Sequence, residues 1–575
     1  MNAALLLEHY ERIAEAPDAI ARLRRFVLDL AVRGKLVEQD PNDGPASELI
    51  KTFTAERKAR IAKKEMRNSK PFNGLKDQPF EVPESWIWLP LGETGNIFSG
   101  NSINESTRER LSKTPIGRPF IATKDVGYGL DALAYDNGLL VPETDATFKV
   151  ARPNTPLICS EGGSAGRKIG LCDRTICFGN KLLANEPWSN ISSKYVLYVY
   201  LSPFFYEEFR TRMTGVIGGI SINRFLEIPF PLPPFAEQHR IVAKVDELMA
   251  LCDRLEAARA ERETGRDKLT LSTLAKLNEP DPETFPDAAR FALEHLQPLT
   301  KHTDQIKQLR HSILNLAVRG YLTKQSSDDA PIDAVLASIT GGKAARRSAI
   351  GNGSPANFPF DIPSNWLWTT LGRVITSGPQ NGLSPRPSSA PDAVKAITLT
   401  ATTSGRFNPA HFKTVDAKLD QNSDFWLQDG DLLFQRGNTR EYVGMAAIYY
   451  GPERTFIYPD LIMKVRVADS ICLPFIHLAA LSPYARAYMA EHATGAQETM
   501  PKINQGMLVN LPIPLPPVAE QHRIVAKVDE LMAVCDQLEA SLVEGEQTRS
   551  KLLEAVLHEA LEPAQPSLKE RVALP

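Results

Sequence analysis

Two groups of basic and amide side chains carry the chemistry most open to a ligand. Arg167 and Lys168 close a glycine-rich stretch, with Asn223 and Arg224 further along; Arg436, Asn438 and Arg440 form a second group with Lys502 and Asn504. An arginine fork can grip guanine through two hydrogen bonds, and an asparagine or glutamine amide can do the same for adenine. On loops, such residues can read base edges in a DNA major groove. For any single one, an ordinary solvated surface residue is the competing reading.

Catalytic constellations are missing by comparison. The run Gly162-Gly163-Ser164-Ala165-Gly166-Arg167-Lys168 has neither the spacing nor the Gly-Lys-Ser/Thr ending of a phosphate loop, so it reads as a turn after a strand. Asn408-Pro409-Ala410 is not the Asn-Pro-Pro-aromatic element of a methyltransferase, and no acidic cluster ends in Glu-x-Lys as in nucleases. His239 and His522 follow Glu-Gln twice without a partner for a triad or a metal, and read as part of a helix start. Six cysteines (Cys159, Cys172, Cys177, Cys252, Cys472, Cys535) show no CxxC or zinc spacing. The expectation is a chain with no catalytic residues, no cofactor and no metal.

The elements that position the two groups are repeated. Residues 233–256, PPFAEQHRIVAKVDELMALCDRLE, return at 516–539 with only Phe235/Val518, Leu251/Val534 and Arg254/Gln537 changed. Leu30-Ala31-Val32-Arg33-Gly34 returns as Leu316-Ala317-Val318-Arg319-Gly320. Trp86-x-Trp88-x-x-Leu91-Gly92 returns as Trp366-x-Trp368-x-x-Leu371-Gly372, and Leu201-Ser202-Pro203 as Leu481-Ser482-Pro483. The offsets, 280 to 286 residues, are too long for a solenoid repeat and mean two whole modules in tandem. Between these landmarks the halves barely match. The frame is shared and the filling differs.

The frame is helical and the filling mixed. Ile20, Leu23, Val27 and Leu30 keep a helical period that Gly34 ends. After Pro233-Pro234 a helix begins whose Ile241, Val245, Leu248, Cys252 and Leu255 follow a heptad seam, repeated by Ile524, Val528, Leu531, Cys535 and Leu538. A helix over 236–276 would be roughly 60 Å long. Such a length calls for a partner, and the other copy is the obvious one. Short apolar runs at 155–159 and 175–178 read as strands, 194–210 as one aromatic-rich helix, 278–298 as a Pro-rich connection and 341–355 as a Gly/Ser-rich linker. The Trp-x-Trp pairs read as core and sheet residues. The expected organisation is an N-terminal helical region (1–70), a first globular domain (85–232), a central repeated helical region and linker (233–345), a second globular domain (360–515) and a C-terminal repeated helical region (516–575).

Net charge is −3, so the total does not itself point to nucleic acid, but the charge is unevenly placed. Residues 51–70 are strongly basic, whereas the repeated helix carries Asp246, Glu247, Asp253 and Glu256. No signal peptide or membrane-length apolar run is visible, so a cytoplasmic protein without membrane contact is expected.

With Leu-Pro-Pro-x-Ala-Glu-Gln-x-Arg-Ile-Val closing each half and Trp-x-Trp-x-x-Leu-Gly opening each variable domain, the chain resembles the specificity subunit of type I restriction-modification systems. The resemblance implies an α+β fold: two globular α/β target recognition domains joined by long repeated helices forming an antiparallel coiled coil, with pseudo-two-fold tandem symmetry. It implies that each domain reads one half of a bipartite double-stranded DNA target. It also implies docking of two modification (methyltransferase) subunits and of restriction (motor-nuclease) subunits. Gly430-Asp431-Leu432-Leu433 followed by Gln435-Arg436-Gly437-Asn438 resembles the family's strand and glycine-containing loop; Leu157-Ile158-Cys159-Ser160 lacks the Gly-Asp. The other function considered is a protein-only scaffold that uses the helices and reads no DNA.

Overall fold

The computed structural model describes residues 16, 18–63, 66, 75, 78–215, 218–281, 283–339, 358–494 and 500–561. The 341–355 stretch and most of 63–77 lie outside these residues. The chain divides into two units, one running to Arg262 and including 545–561, the other running from Glu263 to Glu544. Each unit therefore holds the first part of one long helix (Phe235–Asn278 or Val518–Leu561) and the last part of the other.

In the first unit a four-stranded antiparallel sheet runs in the order Gly95–Ser99, Leu182–Pro187, Pro156–Cys159, Ile169–Leu171. The second unit repeats that order with Ile375–Asn381, Ile462–Val467, Asp431–Gln435 and Ala446–Tyr449. The central strands match in register, with Ile158 opposite Leu183 and Phe434 opposite Met463. Pro156–Cys159 and Asp431–Gln435 are buried along their whole length, which is why the first reads as a continuous apolar run rather than as alternation. Beside this sheet the units diverge. The first adds a four-stranded sheet that contains a parallel pair (Phe120 opposite Cys177), the second a two-stranded ribbon, Val394–Ile397 with Phe412–Val415.

Two departures from the sequence reading have local causes. The helix expected over 194–210 is two helices, Ser193–Leu201 and Pro203–Thr211. Ser202 divides them: its hydroxyl donates to the Val199 carbonyl at 2.7 Å and accepts from the Phe205 amide, while Pro203 has no N–H to continue the first helix. Leu473–Leu481 and Pro483–His492 break at the same landmark. The stretch expected only to connect, 278–298, contains the helix Phe285–Glu294, whose Ala292 packs with Leu274, Leu277 and Leu299.

In each unit one helix is followed by a left-handed glycine. Gly34 (φ +67°) follows Ala19–Val32 and Gly320 (φ +80°) follows Thr303–Arg319. A Cβ at either would lie 2.5 Å from a proline ring, Pro83 or Pro363. The missing side chain lets the tryptophan-bearing segment close over the helix end.

What it closes onto is the repeated Ala-Glu-Gln-x-Arg. In the first unit the Trp86 indole donates to Glu237 at 2.9 Å and the Gln39 amide to the same carboxylate at 2.5 Å. Gln238 accepts from the Ser192 amide and donates to the Pro233 carbonyl, and Arg240 forks onto Asp43 at 2.6 and 3.1 Å. The second unit rebuilds this with Trp366 and Gln325 on Glu520, Gln521 between Cys472 and Pro516, and Arg523 on Asp329. Glu237, Gln238, Glu520 and Gln521 are all buried, so their partners offset a large desolvation cost. Arg523 holds the Asp329 carboxyl below its ordinary range.

The apolar stripe of each long helix is covered first within its own unit. Ile241, Val245 and Met249 pack with Val27, Leu28 and Ala31; Ile524, Val528 and Cys535 pack with Ile313, Leu314 and Ala317. Cys252 is buried too, whereas Leu248, Leu255, Leu531 and Leu538 are half-buried. Arg24 bonds Asp253 and Glu256, and Arg310 bonds Asp536 and Glu539, at 2.6 and 2.8 Å in each case. These partly exposed pairs fix register more than stability, each contributing about 1 kcal/mol or less.

Candidate nucleic-acid interface

The two residue groups lie on or beside equivalent loops, which the same backbone bonds build. The loop leaving strand Pro156–Cys159 starts where the Ser160 amide donates to Lys181 (2.9 Å) and closes where Gly166 donates to Cys159 (2.8 Å). The loop leaving Asp431–Gln435 starts with Arg436 to Leu461 (2.7 Å) and closes with Gly444 to Gln435 (2.7 Å). A second segment clamps each loop: Ile220 donates to the Ser160 carbonyl, and Ile503 to that of Arg436. Isolated bridges Glu161–Gly219 and Gly437–Lys502 complete the match. Arg167 and Lys168 are thereby brought to the segment bearing Asn223 and Arg224, and Arg436, Asn438 and Arg440 to the one bearing Lys502 and Asn504.

Individual side chains differ in what they have left to offer. Arg167 is exposed, its guanidinium over the Tyr206 ring (5.4 Å) and its Nε donating to the Tyr206 hydroxyl at 2.8 Å. That leaves its terminal fork held in place and facing outward from a fixed stem. Lys168 donates to the Thr123 carbonyl at 3.0 Å. Asn223 and Arg224 are exposed on the short helix Ile222–Leu226, which Ser221 caps. Arg440 and the Lys502 side chain are exposed, and Arg436 is half-buried. Two candidates serve the frame instead. Asn438 donates to Gln435 (2.6 Å) and accepts from Thr439 (2.8 Å), and Asn504 caps Gln505–Val509 by accepting from Met507 at 2.9 Å.

The Gly-Asp motif also finds a physical role. Gly430 is left-handed (φ +83°), and buried Asp431 accepts from the Gln428 amide and from Arg466 at 2.7 Å. Burial pulls the nearby Lys464 ammonium below its ordinary value, with Asp431 acting in the opposite direction. The first unit keeps the backbone without the motif: Asn154 takes the left-handed position (φ +64°) and donates to Cys172, as Gly430 does to Tyr449. The departure from Gly-Asp therefore leaves the loop's entry geometry intact.

Sequence reasoning missed two contributors. Gln435 is buried and donates to Leu399 and Thr402, both at 2.9 Å, tying its loop to a neighbouring turn; Cys159 stands in its place in the first unit. Tyr206 aims Arg167. An amide inside an apolar strand was the one visible signal for Gln435; none marked Tyr206. The basic run 51–70 lies within the described residues only over 51–63 and at 66; there Arg57 pairs with Glu93 and Arg60 with Glu56 and Glu186, leaving Lys51, Lys58 and Lys63 exposed. Among the described residues no His, Cys, Asp and Glu side chains gather as a metal site, and no helix is long and apolar enough to cross a membrane.

Comparison with known proteins accords with this geometry. The family model described as the type I restriction modification DNA specificity domain matches twice, at residues 83–262 and 363–544. The type I restriction enzyme EcoEI specificity subunit of Escherichia coli is 28% identical, with 94% of each chain covered, and the EcoAI specificity subunit of Escherichia coli gives the same figures. A chain solved in a study of assembly and conformational transition of the type I R-M system is 17% identical, with 85% of this chain and 100% of that one covered, at a TM-score of 0.48. With the family domain matched over both halves, on the two units that carry equivalent loops, this chain belongs to the type I restriction modification DNA specificity family.

Proposed function

We propose that the chain is the non-catalytic DNA-specificity subunit of a type I restriction-modification complex, each unit reading one half of a bipartite double-stranded DNA target. One observation carries this reading: two loops of unlike side chains stand at one equivalent place on a repeated frame. Arg167, Lys168, Asn223 and Arg224 serve one half-site. Arg436, Arg440 and Lys502 serve the other, with Asn438 and Asn504 shaping their loops.

Each reader alone would bind weakly, but coupling through long helices makes the second contact effectively intramolecular. Helices of 44 residues would be about 66 Å long, matching roughly two turns of B-DNA. The near-identical helix starts offer equivalent docking places to two modification subunits, with restriction subunits joining the assembly in the cytoplasm. Those partners also supply phosphate contacts that a chain of net charge −3 does not supply in bulk.

Gel-shift binding with purified modification subunits tests the reading. A complex specific for a bipartite duplex is expected; binding to the subunits with no sequence preference on DNA would favour a protein-only scaffold.

A further inference from the structure

Beside the first reading loop stands a second one that residue chemistry had not singled out. Its base is closed where the Ala134 amide donates to the Asp125 carbonyl at 2.9 Å. Val126 and Leu133 anchor its two sides in the core, 1% and 4% exposed. Gly170 leaves room for that anchor, since a Cβ there would meet the Leu133 side chain at 2.6 Å. Between these pins the tip displays Tyr128, 62% exposed, and Leu130, 49% exposed.

Tyr128 is fixed as well as exposed. Its hydroxyl lies 3.1 Å from the Ser164 hydroxyl, inside the Gly162–Arg167 turn, and the Lys168 ammonium stands 5.3 Å from its ring centroid. Lys168 is itself tied to Thr123, at the foot of the same loop. An exposed aromatic ring with its hydroxyl and its cationic neighbour both committed has little rotational entropy left to lose on binding. Its open face is suited to a flat or methyl-bearing apolar partner, and its neighbours are suited to an anion.

We propose that Tyr128 is a specificity-determining residue of the first unit, packing its ring against a base-pair edge while Lys168 holds the adjoining strand. This deepens, and rests on, the DNA-reading function above. The loop bears a contact that selects sequence as well as one that follows the backbone, because an apolar ring distinguishes base edges and not phosphates.

The test uses the whole chain assembled with its modification subunits. Binding is measured to the duplex mapped as the wild-type target and to its single-base-pair variants. Tyr128→Ala should lose roughly tenfold affinity for the target and flatten discrimination at one position of one half-site, with the other half-site unchanged. Tyr128→Phe, which keeps the ring, should retain most of the discrimination. Unaltered melting of Tyr128→Ala is expected from its exposure. Discrimination intact in Tyr128→Ala, affinity lost equally on every duplex, or a change in both half-sites would each overturn the assignment. A wild-type complex with no preference would instead overturn the DNA-reading function on which it rests.

Discussion

The Trp86 indole donates to the buried Glu237 carboxylate at 2.9 Å, and Trp366 repeats the bond to Glu520 at the same distance. The donor opens a variable domain and the acceptor begins a long helix, so one hydrogen bond joins the ends of each recognition domain at its helical frame. Burial pushes the Glu237 carboxyl up, against the bonds from Trp86 and Gln39. Removing the acceptor leaves the buried Trp86 N–H unpaired, so Glu237→Ala should destabilise the first unit by about 1–3 kcal/mol. Thermal melting of Glu237→Ala, Trp86→Phe and the double variant checks this, the double costing less than the sum.

A pH dependence is expected from His477. Its Nε2 lies 3.2 Å from the Ala446 carbonyl, and burial depresses its pKa. A group depressed in the folded state stabilises above its unfolded value, about 6.5 for imidazole, and that stability is lost as pH falls through the folded value. Melting temperature should therefore drop on acidification below about pH 6.5, and less steeply in His477→Gln.

The left-handed glycines give a backbone prediction. Gly320→Ala combines positive φ with a Cβ placed 2.5 Å from Pro363, so it should cost more than about 1 kcal/mol and loosen Trp366. Chemical denaturation, with tryptophan emission as readout, measures it.

Half-site independence is the central functional prediction. Arg167→Ala should relax discrimination in one half-site by about 1–3 kcal/mol and Arg440→Ala in the other, each leaving its counterpart untouched. Methylation-site mapping of the two variants separates them from general phosphate contacts, whose loss weakens all sites alike.

Exchanging residues 85–232 for the corresponding domain of a relative should change one half-site only. The seam lies at Trp86 and Glu237, whose partners the frame retains if both ends are kept. A change in both half-sites would contradict modular reading.

Much of the frame was legible because its signals are local or repeated: the glycine after Ala-Val-Arg, the apolar period of the long helices, and the duplicated AEQHR. What Glu237, Gln238 and Arg240 do was not, since their partners Trp86, Ser192 and Asp43 lie tens to hundreds of residues away. The first turns of the heptad stripe found cover in Val27 and Leu28, a contact that periodicity alone does not assign. The candidate loops were visible as basic and amide clusters. That Asn438 bonds Gln435 and Asn504 caps a helix, that Asn154 stands in for Gly430, and that Tyr128 stands beside Lys168 all depend on geometry that residue type leaves open.

The tryptophan–glutamate latches share no side chain with the reading loops, and the glutamate of each lies in a stretch duplicated almost letter for letter. Genetic exchange between relatives with breakpoints in that stretch would carry in a new reader with every latch partner in register. Such a chain can acquire a new vocabulary in a single crossover, without a stability deficit to repair afterwards.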